Sequence, residues 1–299
     1  MEKPSYLKKG DKVIIVSTAR KISEEEIVPA VEVLNKWGLI VVLGSNLYGE
    51  NNQFSGTTEE RKNDLQKALD DEMVKAVFCA RGGYGTVKII DELDFSRFIK
   101  HPKWVVGYSD VTVLHNHINQ NFNIQTLHAT MPINFPTNTE DSLESLHEAL
   151  FGEVLNFEFN NNDLNITGKT EGVLVGGNLS IIYSLTGTKS QLDTKGKILF
   201  LEDLDEYLYH IDRMMMNLKR SGMLKSLAGL IIGGMSDMND NAIPYGKTAN
   251  EIIKDAVSEY DYPVCFDFPA GHLTDNRALI MGENVKLDVD ESCSLRFSS

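Results

Sequence analysis

The segment Trp104-Val105-Val106-Gly107-Tyr108-Ser109-Asp110-Val111-Thr112 sets a serine where an apolar strand gives way to a helix. A hydroxyl at such a turn projects from the carboxyl edge of the sheet, where open α/β sheets bind their ligands. The amide of the next residue, Asp110, falls at a helix amino terminus and can donate to a developing oxyanion. The pattern departs from G-x-S-x-G, because Asp110 and Val111 replace its second half. The same residues suit a plain helix cap, with Ser109 or Asp110 as the capping side chain.

Arg81-Gly82-Gly83-Tyr84-Gly85 ends the preceding strand. Its glycines let a backbone approach a ligand and aim amide hydrogens at an anion, although a tight turn needs the same residues. The spacing fits neither a dinucleotide fingerprint nor a Walker loop. In a hydrolase the Gly83 amide would be the second oxyanion donor. Arg81 would pair with a substrate carboxylate or else stand solvated.

A nucleophilic serine needs a base, and the chain has seven histidines. His101, His147 and His210 lie in helices or loops without glycine context, and His128 lies in a strand-like run. His115 and His117, an i, i+2 pair on one helix, point to different faces, which argues against a shared metal. His272 differs: it follows the strand Val264–Phe268 through Pro269-Ala270-Gly271, on a loop at a strand's carboxyl end. A plain surface histidine is the alternative. The imidazole needs an orienting acid. Glu202 stands at the end of the strand Lys197–Leu201, with Asp203, Asp205 and Glu206 as competitors and helix capping as the other use of an acid there. The order of the three groups is Ser, Glu, His. Gly176-Gly177-Asn178-Leu179-Ser180 reads as a strand-to-helix turn that lines a cleft or lets two domains pack closely. Gly233-Gly234-Met235 reads as a simple turn, and Met214-Met215-Met216 as core filler.

The elements that must position these groups alternate in period. Apolar strands at Val13–Val16, Leu39–Leu43, Val74–Ala80 and Trp104–Gly107 are separated by helical patterns at Ser23–Trp37, Thr58–Leu69 and Thr86–Leu93. This implies a parallel sheet covered on both faces. After Pro136 the texture changes: a helix is expected over Ser142–Leu150, flanked by polar breaks. Strands follow at Gly172–Val175, Lys197–Leu201, Leu230–Ile232 and Val264–Phe266, with helices at Leu179–Leu185, Ile211–Arg220 and Thr248–Glu259. Antiparallel strands are expected over Ala278–Phe297. The fold class is α/β: an N-terminal parallel-sheet domain, flavodoxin-like or glutamine-amidotransferase-like, over 1–137, a linker region over 138–165, and a mixed α/β domain over 166–299.

The 299 residues carry 43 acids against 29 bases, a formal charge of -14. That field repels phosphate backbones and argues against a nucleic-acid partner. Three scattered cysteines fit no disulfide framework or zinc spacing. No signal-peptide pattern opens the chain and no run suits a membrane span, so a cytoplasmic protein is expected.

Taken in order, these stretches resemble the LD-carboxypeptidases, serine peptidases that include murein tetrapeptide carboxypeptidases and microcin immunity hydrolases. The resemblance rests on Arg81–Gly85, Gly107–Thr112 and Gly176–Ser180. It extends to Leu201-Glu202-Asp203 with Glu206, Tyr209 and Ile211-Asp212-Arg213, and to Gly271-His272 with Asn276 and Gly282. It implies a triad of Ser109, Glu202 and His272, with Glu206 as the alternative acid, and oxyanion donors from the Gly83 and Asp110 amides. Arg81, Gly82 and Tyr84, with Gly177 and Asn178, are expected to line the substrate cleft at the domain junction. No cofactor or metal is implied, and a homodimer is. The implied reaction removes terminal D-alanine from a peptidoglycan stem peptide after an L-centre of diaminopimelate or lysine. The microcin branch instead cuts acyl-sulfamoyl nucleotide conjugates and tends to carry an added aromatic loop, which this chain lacks. A non-catalytic peptide-binding α/β protein is the rival of another class.

Overall fold

The computed structural model describes residues 1–298. The N-terminal elements run β1 (Lys12–Val16), α1 (Glu24–Lys36), β2 (Ile40–Leu43), α2 (Thr58–Asp70), β3 (Val74–Cys79), α3 (Ser96–Lys100), β4 (Trp104–Gly107), α4 (Thr112–Phe122) and β5 (Thr126–His128). The remaining elements are α5 (Glu140–Phe151), β6 (Asn156–Asn160), β7 (Gly168–Asn178), α6 (Leu179–Ser184), β8 (Ile198–Leu204), α7 (Leu208–Arg220), β9 (Gly229–Ser236), α8 (Ala249–Val257), β10 (Val264–Cys265), β11 (Leu279–Met281), β12 (Asn284–Val289) and β13 (Ser292–Phe297). Helices α1, α2, α5 and α8 start at a Ser or Thr that caps them. Ser23 with Glu26, Thr57 with Glu60 and Thr248 with Glu251 each form a reciprocal capping box.

The first sheet has the order β11-β5-β4-β3-β1-β2. Its five N-terminal strands are parallel, in the flavodoxin-like order 2-1-3-4-5, and β11 adds an antiparallel edge on β5. The strands are apolar on both sides: Val13 and Ile15 of β1 enter one core, Ile14 and Val16 the other. Helices α1 and α5 cover the first face, while α2, α3 and α4 cover the second. The second sheet has the order β10-β9-β8-β7-β12-β13-β6, with a parallel half through β7 and an antiparallel half beyond it. Its outer face buries α6, α7 and α8. Its inner face (Leu174, Ile198, Phe200, Ile231) shares one core with the first sheet. The fold class is therefore the α/β pairing of a mostly parallel and a mixed sheet that the sequence implies.

Three local readings change. Thr86–Leu93 forms two short 3-10 turns rather than a helix, since Val87, Ile89 and Ile90 are β-branched and no side chain caps the start. Gly233 and Gly234 are not a turn but lie inside β9, where a Cβ on Gly233 would meet the Ala270 carbonyl and one on Gly234 would meet Leu273. Residues 138–165 hold α5 and the edge strand β6, and Leu146, Ala149 and Leu150 of α5 are buried in the shared core.

Candidate active site

The carboxyl ends of β1, β3, β4 and β8 and the loop after β10 carry the residues of interest. β4 ends at Gly107, and Ser109 follows with φ of 62° at the head of a 3-10 turn that leads into α4. This left-handed backbone at a non-glycine residue is what a sharp strand-to-helix elbow imposes. Ser109 does not cap the helix, and neither does Asp110. The buried Asp110 carboxylate instead accepts from the Thr86 amide at 2.9 Å, which ties the glycine loop to the serine turn. Burial raises its pKa, against hydrogen bonds from Thr86 and Gly85 and the charge of Arg61.

Gly82 presses against this turn: a Cβ there would sit 2.9 Å from both Cβ and Oγ of Ser109 and 3.4 Å from the Asp110 amide nitrogen. The backbone of the loop thus passes directly over the hydroxyl and the amide. Among the described residues, neither the Gly83 nor the Asp110 amide donates to a protein acceptor. Gly83 is exposed, has φ of 110°, and lies against the Arg20 side chain. Arg81 turns away, donating from Nη1 to the Lys21 carbonyl at 3.1 Å with Glu26 4.0 Å off. Tyr84 is 46% exposed and packs near Phe54, with Lys88 over both rings.

On the facing domain, the His272 Nδ1–H donates to Glu202 Oε2 at 2.6 Å, and the His272 backbone amide reaches the same oxygen at 3.2 Å. Glu202 is fully buried. The histidine loop closes over it only because residue 271 is glycine, with φ of 103°: a Cβ there would lie 2.7 Å from the Glu202 side chain. Asn276 holds the Gly271 amide at 2.8 Å, and Ser236 Oγ donates to the His272 carbonyl at 2.7 Å. Burial pulls the His272 pKa down, but the Glu202 charge and hydrogen bond, helped by Asp203, outweigh it and hold it above its ordinary value. The Tyr108 ring stands edge-on to His272 with centroids 4.9 Å apart, so the residue before Ser109 touches the imidazole.

Glu206 bonds His210 at 2.5 Å rather than His272. Asp203 points to the other side of β8, where Asn178 Nδ2 at 2.9 Å and the Ser180 amide at 2.8 Å donate to it. Burial, then Glu202, push its pKa up to about 7. The side chain of Asn178 is thereby committed to the β7–α6 turn. Its backbone amide donates to Thr112 Oγ1 at 3.0 Å, and a Cβ on Gly177 would lie 2.6 Å from that same oxygen. Gly176 and Gly177 thus lie in the paired end of β7 rather than in a turn, and this stretch is a seam between the domains. Tyr108, Ser236 and Arg20 were not singled out by sequence. Strand period carried one usable signal: Ile198, Phe200 and Glu202 share a face of β8, opposite Asp203. Among the described residues, no three His, Cys, Asp or Glu side chains gather in a way that could hold a metal ion.

Known proteins share this arrangement of two domains. The family model for the LD-carboxypeptidase N-terminal domain matches residues 13–129, and that for its C-terminal domain matches residues 171–287. A probable murein peptide carboxypeptidase of Bacillus subtilis is 35% identical, over 98% of this chain and 93% of its own. The murein tetrapeptide carboxypeptidase of Pseudomonas aeruginosa is 26% identical, over 93% of each chain. A crystal structure of muramoyltetrapeptide carboxypeptidase from Oxalobacter formigenes superposes with a TM-score of 0.86 at 26% identity, covering 96% of this chain and 99% of that one. The microcin C7 self immunity protein MccF in complex with aspartyl sulfamoyl adenosine shares the fold, with a TM-score of 0.89 at 19% identity over 99% of this chain and 98% of that one. The chain belongs to the LD-carboxypeptidase family and is a serine carboxypeptidase.

Proposed function

We propose that this enzyme removes the terminal D-alanine from murein tetrapeptide by cutting the bond that follows the L-centre of the third residue, through an acyl-enzyme on Ser109. The observation that supports this most is the 2.6 Å bond from His272 to a fully buried Glu202, with the imidazole packed on the neighbour of a left-handed serine. Ser109 Oγ attacks the scissile carbonyl and gives its proton to His272 Nε2, while Glu202 fixes the tautomer with Nδ1 protonated. The Gly83 and Asp110 amides, free of protein acceptors, receive the oxyanion, each such donor contributing on the order of 10² to 10³ in rate. Collapse breaks the C–N bond, His272 protonates the departing amine of D-alanine, and water delivered by the same base hydrolyses the ester.

The enzyme acts on a small peptide, as a homodimer in the cytoplasm, with no nucleic acid or membrane as partner. Among the described residues, no helix is long and apolar enough to cross a membrane. Mass spectrometry of murein tri-, tetra- and pentapeptides incubated with the protein tests the reading. Loss of one alanine from the tetrapeptide alone is expected. An intact tetrapeptide, with cleavage of an aminoacyl-sulfamoyl nucleotide instead, would move the enzyme to the microcin-immunity reaction.

A further inference from the structure

An enzyme that removes a single C-terminal residue must distinguish a free carboxylate from a peptide bond, and a fixed cation next to the reacting carbonyl is the simplest means. Arg81, the cation expected there, is held by the Lys21 carbonyl and Glu26. Arg61 is buried and donates to the Gly56 carbonyl at 2.8 Å. Arg20 remains. It follows β1, is exposed, and among the described residues its side chain makes no ion pair or hydrogen bond. Its stem lies against Gly83, with Cδ 2.6 Å and Nε 3.2 Å from where a Cβ on that glycine would be. The adjacent Gly82 covers the Ser109 hydroxyl.

The topology supports the same place. In a sheet of order 2-1-3-4-5, the ligand crevice opens outside the carboxyl ends of β1 and β3, where the connections diverge to opposite faces. Arg20 stands on the β1 side of that crevice and the Gly82-Gly83 loop on the β3 side. An isolated bridge between Arg20 and Phe54 fixes the backbone that carries the guanidinium, and Phe54 with Tyr84 forms the adjoining wall.

We propose that Arg20 is the specificity residue that binds the terminal carboxylate of the substrate, donating a bidentate pair of hydrogen bonds to the carboxylate of the departing D-amino acid. The proposal rests on the carboxypeptidase reading and refines it. The test compares wild type, Arg20→Met and Arg20→Lys on a murein tetrapeptide and on the same peptide carrying a C-terminal amide. Thermal unfolding serves as the control for folding. Wild type is expected to favour the acid by about 10²-fold or more in kcat/KM, the worth of a charge-assisted bidentate contact. Arg20→Met should bring that ratio close to one, mainly by raising KM for the acid, with its activity on the amide and its melting temperature kept. Arg20→Lys should fall between. A ratio unchanged in Arg20→Met, with wild-type turnover intact, overturns the role of Arg20 and leaves the carboxypeptidase reading standing. Absence of wild-type turnover of the acid overturns both.

Discussion

Ser109 holds φ of 62° while keeping a side chain, a conformation that costs a non-glycine residue on the order of 1 kcal/mol or more. Replacing it with glycine should therefore raise unfolding free energy by about 1 kcal/mol in urea titrations while abolishing turnover. Ser109→Ala keeps the strain and should lower kcat/KM by at least roughly 10⁴-fold. Equal stability of the two variants would show that the elbow is relaxed. A second expectation concerns the base. In the proposed reaction His272 must be neutral to accept the serine proton, and its pKa is held above the ordinary value by Glu202. Activity should thus climb with pH through that raised value. Glu202→Gln removes the charge, so the acidic limb of the kcat/KM profile should move to lower pH while turnover falls by about 10² to 10⁴. A limb that stays in place would uncouple the two residues. The placement of Ser109 and His272 at sheet edges was legible because each ends an apolar run with glycine beside it. The choice among Glu202, Asp203, Asp205 and Glu206 was harder, because the acids crowd within five positions and only the face of β8 separates the first two. Arg20 gave no signal, as its proposed significance arises from the Gly82-Gly83 loop, more than 60 residues away.

At the scale of elements, the glycine-bearing end of β7 joins the halves of the site. Gly176 and Gly177 both have φ of 134°. A Cβ on the first would collide with the Phe200 carbonyl, and one on the second with Thr112, the first residue of α4. Gly177→Ala should destabilise the protein by roughly 2 kcal/mol or more, from backbone strain plus displacement of α4. Since α4 carries the serine turn, kcat should fall as well. Chemical denaturation together with kinetics checks this, and a Gly177→Ala protein with wild-type stability and rate would mean that the seam yields freely. Helices α1, α2 and α8 were readable from their Ser and Thr caps and their 3.6 period. The short edge strand β6 was not, because its five residues carry too little alternation. β11 pairs with β5 more than 150 residues away, a contact without local signature. The glycines of β9 misread as a turn for the same reason: what requires them is the backbone of the histidine loop packed across the strand.

At the scale of the molecule, one core spans the inner faces of both sheets, and beneath the catalytic cleft it encloses two histidines, His115 and His128. The His115 Nε2–H donates to the carbonyl of Gly107 at 2.8 Å, just before the serine turn, and the His128 ring packs between Tyr108 and Phe200. Burial depresses both: His115 falls to about 4, against the pull of the Gly107 carbonyl, and His128 goes well below its ordinary value, further lowered by His115 and His272. The unfolded chain therefore takes up protons near pH 6.5, whereas the folded chain resists them until near pH 4. Their contribution to stability is complete above the unfolded value and is lost as pH falls through that window. For His115 alone, the loss between pH 7 and pH 4 amounts to about 3 kcal/mol. His115→Gln cannot take up that proton. Its unfolding free energy should be lower than that of wild type at pH 7 yet decline less on acidification, so that the two curves approach one another by about 3 kcal/mol at pH 4. Because both sheets share the core around these rings, acid unfolding should proceed as one transition, with near- and far-ultraviolet circular dichroism lost together. Parallel curves for wild type and variant would mean that His115 is reached by protons in the folded enzyme.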